Sequence, residues 1–144
     1  MPKPISTWKL FPQVVHQDQR GKLSAIDDRD FSEYFEIKRV FFQTESRKDL
    51  IRGGHAHKVC HQLIIPVVGE FTCEILSSDS RERIQLRQDD TFLYVPPLTW
   101  IEQHSFSENS VVAIFASHYY DPDDYIRDYA TFLEFCVDNQ KKSS

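Results

Sequence analysis

The chain has 144 residues and a formal net charge of −5, with an isoelectric point near 5.6. This length fits one domain that can bury its own core, and the acidic balance argues against nucleic acid as a partner, because binding nucleic acid requires a basic face. No signal-peptide pattern or membrane-length apolar run is present, so we expect a cytoplasmic protein without a membrane partner. Cys60, Cys73 and Cys136 form no CxxC pair, which predicts reduced thiols packed in the core.

Short β-like runs separated by turn residues cover most of the first 116 residues. In chain order they are Leu23–Ile26, Ile37–Gln43, Gly54–His57, Gln62–Val68, Glu70–Leu76, Arg83–Leu86, Thr91–Val95, Trp100–His104 and Val111–Ala116. No helix-length amphipathic segment interrupts them, which predicts an all-β sandwich or closed barrel rather than a parallel α/β sheet. The four glycines are expected at turns, and no phosphate-binding glycine motif is present.

One helix is predicted near the C-terminus. Asp121 can cap it and Pro122 suits its first position. Apolar residues then recur at helical spacing, which predicts a stripe that packs on the barrel or on a partner subunit. The stripe comprises Tyr125, Tyr129, Phe132, Leu133 and Cys136. We expect a single domain over residues 1–138 and a disordered tail from Asn139 to Ser144.

The segment Arg52-Gly53-Gly54-His55-Ala56-His57-Lys58 carries the main chemical signal. Residues two apart on a strand share a face, so His55 and His57 should lie side by side, with Arg52 close to them. If that face points into a barrel, the three side chains could bind a small anionic ligand and move its protons. The alternative is a pair of ordinary surface histidines, but the two glycines suggest a close backbone approach that such a strand does not need.

An HxH pair in a small β protein also raises the possibility of a metal, because cupin barrels commonly bind one through HxH, a glutamate and a third histidine. Here Gln62 stands at the glutamate position and Ile101 at the position of the third histidine. Two ligands are fewer than a catalytic site normally needs, and His61 or His104 could contribute only after a register change. The sequence therefore predicts no metal.

The chain resembles the sugar-nucleotide 3,4-ketoisomerases of the cupin superfamily, which act on dTDP-4-keto-6-deoxyglucose. The matching segments are Asp18–Ile26, Ile37–Phe42, Arg52–Lys58, Trp100–Glu102 with Phe106-Ser107, and Ala116–Asp121 with Asp124–Tyr129. The resemblance implies a jelly-roll barrel without metal or other cofactor, and a homodimer that exchanges N-terminal strands. It also implies that the product is a dTDP-3-keto-6-deoxyhexose destined for amination.

The resemblance assigns roles to particular residues. A histidine near neutral pKa can remove a proton next to a ketone and return it, so His55 is the expected base and His57 the partner that shuttles protons or orients it. Arg52 is expected to stabilise an oxyanion or grip phosphate, and Arg20 to bind the diphosphate, although either could be a surface charge. Trp100 could line the ligand pocket or belong to the core, and Gln62 could bind substrate or hold a histidine.

Two departures from the family pattern keep other functions open. Phe41 and Phe42 stand where the family usually has tyrosine, and Ile101 stands where it tends to have histidine or arginine. Both changes remove polar groups from the expected sugar pocket around Phe41. The alternatives are a dTDP-sugar 3,5-epimerase and a non-catalytic cupin that binds a nucleotide sugar. The epimerases follow the first histidine with an aromatic residue and glutamine, whereas this chain has Ala56 and His57.

Overall fold

The protein is described by a computed structural model that covers residues 7–143. Its strands are β1 (Lys9–Pro12), β2 (Val14–Asp18), β3 (Gly21–Ala25), β4 (Arg39–Thr44), β5 (Arg52–His57), β6 (Gln62–Val68), β7 (Glu70–Leu76), β8 (Arg81–Arg87), β9 (Thr91–Val95), β10 (Trp100–His104), β11 (Val111–Ala116) and β12 (Tyr125–Ile126). The helix α1 (Tyr129–Ser143) ends the described chain, and 3₁₀ turns lie at Asp28–Asp30 and Pro122–Asp124.

Two five-stranded antiparallel sheets form the body of the protein. The first has the order β1-β9-β6-β11-β4 and the second the order β12-β5-β10-β7-β8. Their inner faces share one hydrophobic core, in which Ile64 and Ile114 of the first sheet meet Ile75 and Ile101 of the second. The prediction of an all-β protein is confirmed.

The apolar strands were predicted most accurately. The bounds of β6, β7, β9, β10 and β11 are those read from the sequence. Strand β6 is nearly continuously apolar because both of its faces are covered: Ile64 faces the shared core, while Leu63 and Ile65 pack under Phe31 and Phe35 on the outside. Strands β1 and β2 were missed because their side chains are mostly exposed and show no apolar alternation.

The C-terminal segment differs from the sequence prediction. Asp121 and Pro122 do start a helical turn, but it is a short 3₁₀ turn that ends at Asp124, and Tyr125 then enters β12 instead of a helix. Helix α1 begins at Tyr129, where the Asp128 carboxylate accepts a hydrogen bond of 3.0 Å from the Thr131 N–H. Asp and Pro signals favour any first helical turn and do not fix how far the helix continues.

The tail prediction is also corrected, because α1 continues to Ser143, through most of the segment expected to be disordered. Within this segment, Gln140 of α1 donates a hydrogen bond of 3.3 Å to Ser78 Oγ. Along the helix, Phe132 and Cys136 are buried on the outer face of the second sheet.

Two smaller expectations concern the thiols and the membrane. All three cysteines are buried and unpaired, as the sequence predicted. Within residues 7–143, no helix is both long and apolar enough to cross a membrane.

Candidate active site

Strand β5 carries the histidine pair, and the two glycines that follow its first residue, Arg52, lie in the left-handed region. Gly53 has φ +79° and Gly54 has φ +72°, and both lie within the strand rather than at a turn. A Cβ atom on Gly53 would lie 2.7 Å from the carbonyl oxygen of Ile101, whereas one on Gly54 would meet open space. The predicted close approach is therefore present, and it is between two backbones.

These glycines form a bulge that sets the register of β5. Ile101 pairs with His55, but the next residue of β10 pairs with Gly53, so Gly54 is the extra residue. Gln103 consequently lies opposite Arg52. Residues that lie opposite each other on neighbouring strands share a face, and Gln103 faces the cavity. The bulge therefore places Arg52 on the inner face of the sheet, at the rim of the barrel, where its side chain is exposed.

A small cavity of about 60 Å³ lies between the two sheets beside His55. The side chains and backbone around it are those of Phe41, Gln43, Gly53, His55, Gln62, Ile64, Ile101, Gln103, Ile114 and Tyr125. Three of the residues selected from the sequence, Phe41, His55 and Gln62, are thus brought together. At the other side of the cavity, Gln43 and Gln103 exchange two hydrogen bonds of 2.9 and 3.1 Å.

Behind His55, the second histidine is fixed by a buried carboxylate. His57 Nδ1 lies 2.8 Å from Asp124 Oδ2, and both side chains are less than a tenth exposed. Asp124 Oδ1 accepts a second hydrogen bond of 2.8 Å from the Val59 N–H. Burial alone would raise the pKa of Asp124, but the hydrogen bonds from His57 and the backbone outweigh it and lower the pKa. An ionised carboxylate only accepts, so we assign the Nδ1 proton to His57, which leaves the lone pair on Nε2.

Both imidazoles are held in the neutral form that can accept a proton. Burial, followed by the nearby His57, lowers the pKa of His55 from the ordinary 6.5 to about 4. Burial also lowers the pKa of His57, and the positive charges of Arg39 and Arg127 act in the same direction, while Asp124 opposes them. His55 Nδ1 and His57 Nε2 are buried and make no hydrogen bond within residues 7–143.

An aromatic side chain packs against both histidines. Tyr125 pairs with His57 across β12 and β5, and its ring centroid lies 4.9 Å from that of His55 and 4.4 Å from that of His57. The Arg127 guanidinium lies 4.5 Å from the Tyr125 centroid. None of these neighbours was selected from the sequence, because the segment was assigned to a helix. Recognising that Tyr125 belongs to a strand would have located it.

Two predicted binding residues lie elsewhere in the chain. Arg20 is at the tip of the β2–β3 hairpin, where it pairs with Asp18 at 2.6 Å and its side chain is 91% exposed. Trp100 lies outside this cavity, which agrees with the alternative that it belongs to the core. It precedes Ile101 on β10 and therefore faces outward, where it packs on Phe132 of α1 with the ring centroids 5.6 Å apart.

The two histidines that could replace the missing metal ligands, His61 and His104, bond to other side chains. His61 bonds to the hydroxyl of Tyr94, and His104 bonds to Glu74, so each has another partner. In the described part of the chain, His57, Cys60 and Asp124 form one group whose donor atoms lie within 4.8 Å of one another. Its fit to a metal is poor, because both Asp124 oxygens already accept hydrogen bonds from protein N–H groups.

Comparison with known proteins identifies the family. Residues 6–137 match the family model described as FdtA: WxcM-like, C-terminal. The chain belongs to this family. Over 127 residues, which cover 87% of this chain and 88% of the relative, it is 37% identical to a TDP-4-oxo-6-deoxy-alpha-D-glucose-3,4-oxoisomerase of Aneurinibacillus thermoaerophilus.

Solved structures of sugar 3,4-ketoisomerases have the same fold. The sugar 3,4-ketoisomerase QdtA of Thermoanaerobacterium thermosaccharolyticum, in complex with TDP, is 32% identical with a TM-score of 0.86, and the match covers 94% of this chain and 98% of that one. The TDP-quinovose 3,4-ketoisomerase WlaRB of Campylobacter jejuni is 32% identical with a TM-score of 0.82, over 90% and 99% of the two chains. A histidine-to-asparagine mutant of QdtA is known in complex with TDP-4-keto-6-deoxyglucose. The predicted cupin-type jelly roll and the resemblance to 3,4-ketoisomerases are both confirmed.

Proposed function

We propose that the chain converts a dTDP-4-keto-6-deoxyhexose into its 3-keto isomer, as an intramolecular redox isomerase that needs no metal. The observation that carries this proposal is a neutral histidine, His55, on the wall of the barrel cavity, with His57 and Asp124 behind it. Relatives with this activity bind TDP or TDP-4-keto-6-deoxyglucose, which supports a nucleotide sugar as the substrate.

The histidines can move the carbonyl from C4 to C3 without an external oxidant. His55 takes the C3 proton, which the adjacent ketone acidifies, and the electron pair of that C–H bond forms a C3=C4 double bond while charge passes to O4. The proton of the C3 hydroxyl moves to O4, and we assign this transfer to His57, which lies next to His55 on the same face of β5 with its Nδ1 held by Asp124. The C3 carbonyl forms when the His55 imidazolium returns its proton to C4.

The lining of the cavity is apolar on one side, which suits the apolar face of a 6-deoxysugar. Ile64, Ile101 and Ile114 line it together with Phe41, while Gln62 supplies an amide. The departures from the family pattern at Phe41 and Ile101 therefore leave a pocket whose titratable groups lie on the histidine side, while Gln43 and Gln103 supply only neutral amides.

The two other candidate functions have less support. A 3,5-epimerase would have an aromatic residue in place of Ala56, but Ala56 is fully buried in the cluster that contains Phe132 and Ile126, which leaves little room for a ring. A non-catalytic binding protein is favoured by the missing hydroxyl at Phe41, and the neutral, oriented histidine pair argues against it.

The proposal includes a homodimer that exchanges N-terminal segments. The β2–β3 hairpin forms a two-stranded sheet of its own, and Leu23 on it is 62% exposed. An isolated hairpin is marginally stable, so a cover from a second copy is expected. This hairpin carries Arg20, which would meet the diphosphate in the site of the other copy. Free buried cysteines support the cytoplasm as the location.

The experiment uses TDP-4-keto-6-deoxyglucose labelled with ¹³C at C3. Incubation with the purified protein should move the labelled resonance from an alcohol carbon to a ketone carbon, with or without chelator in the buffer. A label that remains an alcohol carbon while the substrate is consumed would indicate epimerisation, and binding without any change would indicate the non-catalytic function.

A further inference from the structure

Arg39 has a buried guanidinium N–H, on Nε, for which the described part of the chain provides no hydrogen-bond acceptor. Residues 39, 41 and 43 of β4 are half-buried and alternate with exposed ones, which places Arg39 on the inner face with Phe41 and Gln43. The guanidinium carbon lies 5.0 Å from the centroid of Phe41 and 5.7 Å from that of Tyr120. A buried cationic N–H is unfavourable unless something accepts its hydrogen bond.

The register of the first sheet puts this cation at the mouth of the cavity. Arg39 pairs with Ala116, which pairs in turn with Gln62 on the cavity wall. Ala116 has only a methyl group, so little separates the arginine from Gln62. The next row inward is Phe41, which lines the cavity itself. The guanidinium is also near enough to His57 to lower its pKa by its charge, which agrees with this location.

We propose that Arg39 is the catalytic cation that holds the negative charge of the enediolate during the isomerisation. This inference rests on the proposed function and deepens it. When His55 removes the C3 proton, charge develops on O4 and passes to O3 as the hydroxyl proton moves, before the C3 carbonyl forms. A guanidinium N–H directed at these oxygens stabilises both charged forms, because it is already in place and partly shielded from water.

Arg39 fits this role better than the other arginines near the site. Arg52 and Arg127 are exposed to solvent, and Arg20 lies on the hairpin with Asp18 as its partner. Solvent weakens the effect of an exposed charge on a reaction inside the barrel. The Arg39 guanidinium also lies near two aromatic rings, those of Phe41 and Tyr120, whereas the Arg127 guanidinium lies over the Tyr125 ring.

The test compares Arg39→Ala, Arg39→Lys and Arg47→Ala. Arg47 is the control, because it pairs on the surface with Asp49 at 3.3 Å and is 70% exposed. Three quantities are measured: the rate of loss of the C3 proton of TDP-4-keto-6-deoxyglucose into D₂O, the dissociation constant of TDP, and the rate with guanidinium chloride at millimolar concentration.

We expect Arg39→Ala to slow proton loss on the order of 10²- to 10³-fold, as removal of an oxyanion donor does. TDP affinity should change by less than about threefold, because the nucleotide does not carry the new charge. Added guanidinium should recover at least about tenfold of the loss in Arg39→Ala and none in a His55→Asn variant. Arg39→Lys, which keeps the charge and the stem, should keep partial activity, and it decides the result if the alanine variant does not fold.

A pH profile gives a readout that a purely structural role would not move. His57 faces His55 on its own strand, Asp124 of the 3₁₀ turn and Tyr125 of β12. The charges of Arg39 and Arg127 also act on it. Loss of the Arg39 charge should therefore shift the acidic limb of the rate profile to higher pH.

Wild-type rates of proton loss in both Arg39 variants would overturn the inference and leave the proposed isomerase intact. A loss of TDP affinity as large as the loss of rate would also overturn it, since Arg39 would then bind the diphosphate. Wild-type protein that removes no proton would contradict the proposed function itself, and the inference with it.

Discussion

His57 Nδ1 and Asp124 Oδ2 lie 2.8 Å apart inside the barrel, although 67 positions separate the two residues in the sequence. The contact exists because Tyr125 pairs with His57 across β12 and β5, which brings the preceding carboxylate beside the same imidazole. Asp124 thereby fixes both the ring and the nitrogen that carries the proton. It acts as a positioning residue for His57, with no need to touch the sugar.

Asp124→Asn should lower turnover by about tenfold and by no more than His57→Asn does, because an amide has a similar shape but no charge and no longer selects one tautomer of His57. The acidic limb of the rate profile should also move to lower pH, since Asp124 raises the pKa of His57. Asp123→Asn is the matched control, because Asp123 is exposed in the same turn. Steady-state kinetics of both variants check this, and equal rates for the two would contradict it.

His55→Asn should lower turnover on the order of 10²-fold or more, because the group that removes the C3 proton is lost, and binding of TDP should be retained. His57→Asn should have a smaller effect. His104→Asn is the control on the outer face, where His104 bonds to Glu74. A larger loss in His57→Asn than in His55→Asn, measured at saturating substrate, would reverse the assigned roles.

Gly53→Ala and Gly54→Ala separate backbone strain from steric clash. Both glycines have positive φ, so either substitution introduces strain, but only a Cβ on Gly53 would approach the Ile101 oxygen at 2.7 Å. Gly53→Ala should therefore reduce the free energy of unfolding by about 1 to 3 kcal/mol more than Gly54→Ala does. Urea denaturation measures the difference. Equal values would show that the close approach of β5 and β10 does not constrain the strand.

The lowered pKa of His55 should make the stability of the folded protein depend on pH between about 6.5 and 4. His55 has its pKa lowered from 6.5 to about 4, so it stays neutral between these values in the folded protein, whereas the unfolded chain binds a proton there. Its contribution to stability is thus complete above pH 6.5 and is lost as the pH falls towards 4. Urea midpoints from pH 7 to 4.5 should fall more in the wild type than in His55→Asn, and parallel curves would contradict the lowered pKa.

The sequence predicted the strands whose apolar residues are covered on both faces, because burial leaves a clear signal within a few residues. Strands β6 and β9 are examples. It also predicted that His55 and His57 share a face, since that follows from strand geometry alone.

The sequence could not predict features that depend on distant partners. The two-residue strand β12 exists only because β5 offers it an edge, so Asp124 and Tyr125 had no local signal as site residues. The face of Trp100 was ambiguous for a similar reason, because both sides of β10 are covered, one by the core and the other by α1.

Proton exchange in D₂O tests the central claim most directly. Wild-type protein with TDP-4-keto-6-deoxyglucose should remove the C3 proton signal from the ¹H spectrum and produce the 3-keto sugar nucleotide, while His55→Asn should do neither on the same time scale. Tight binding of the sugar nucleotide by the wild type, with the C3 proton retained and no 3-keto product, would contradict the account.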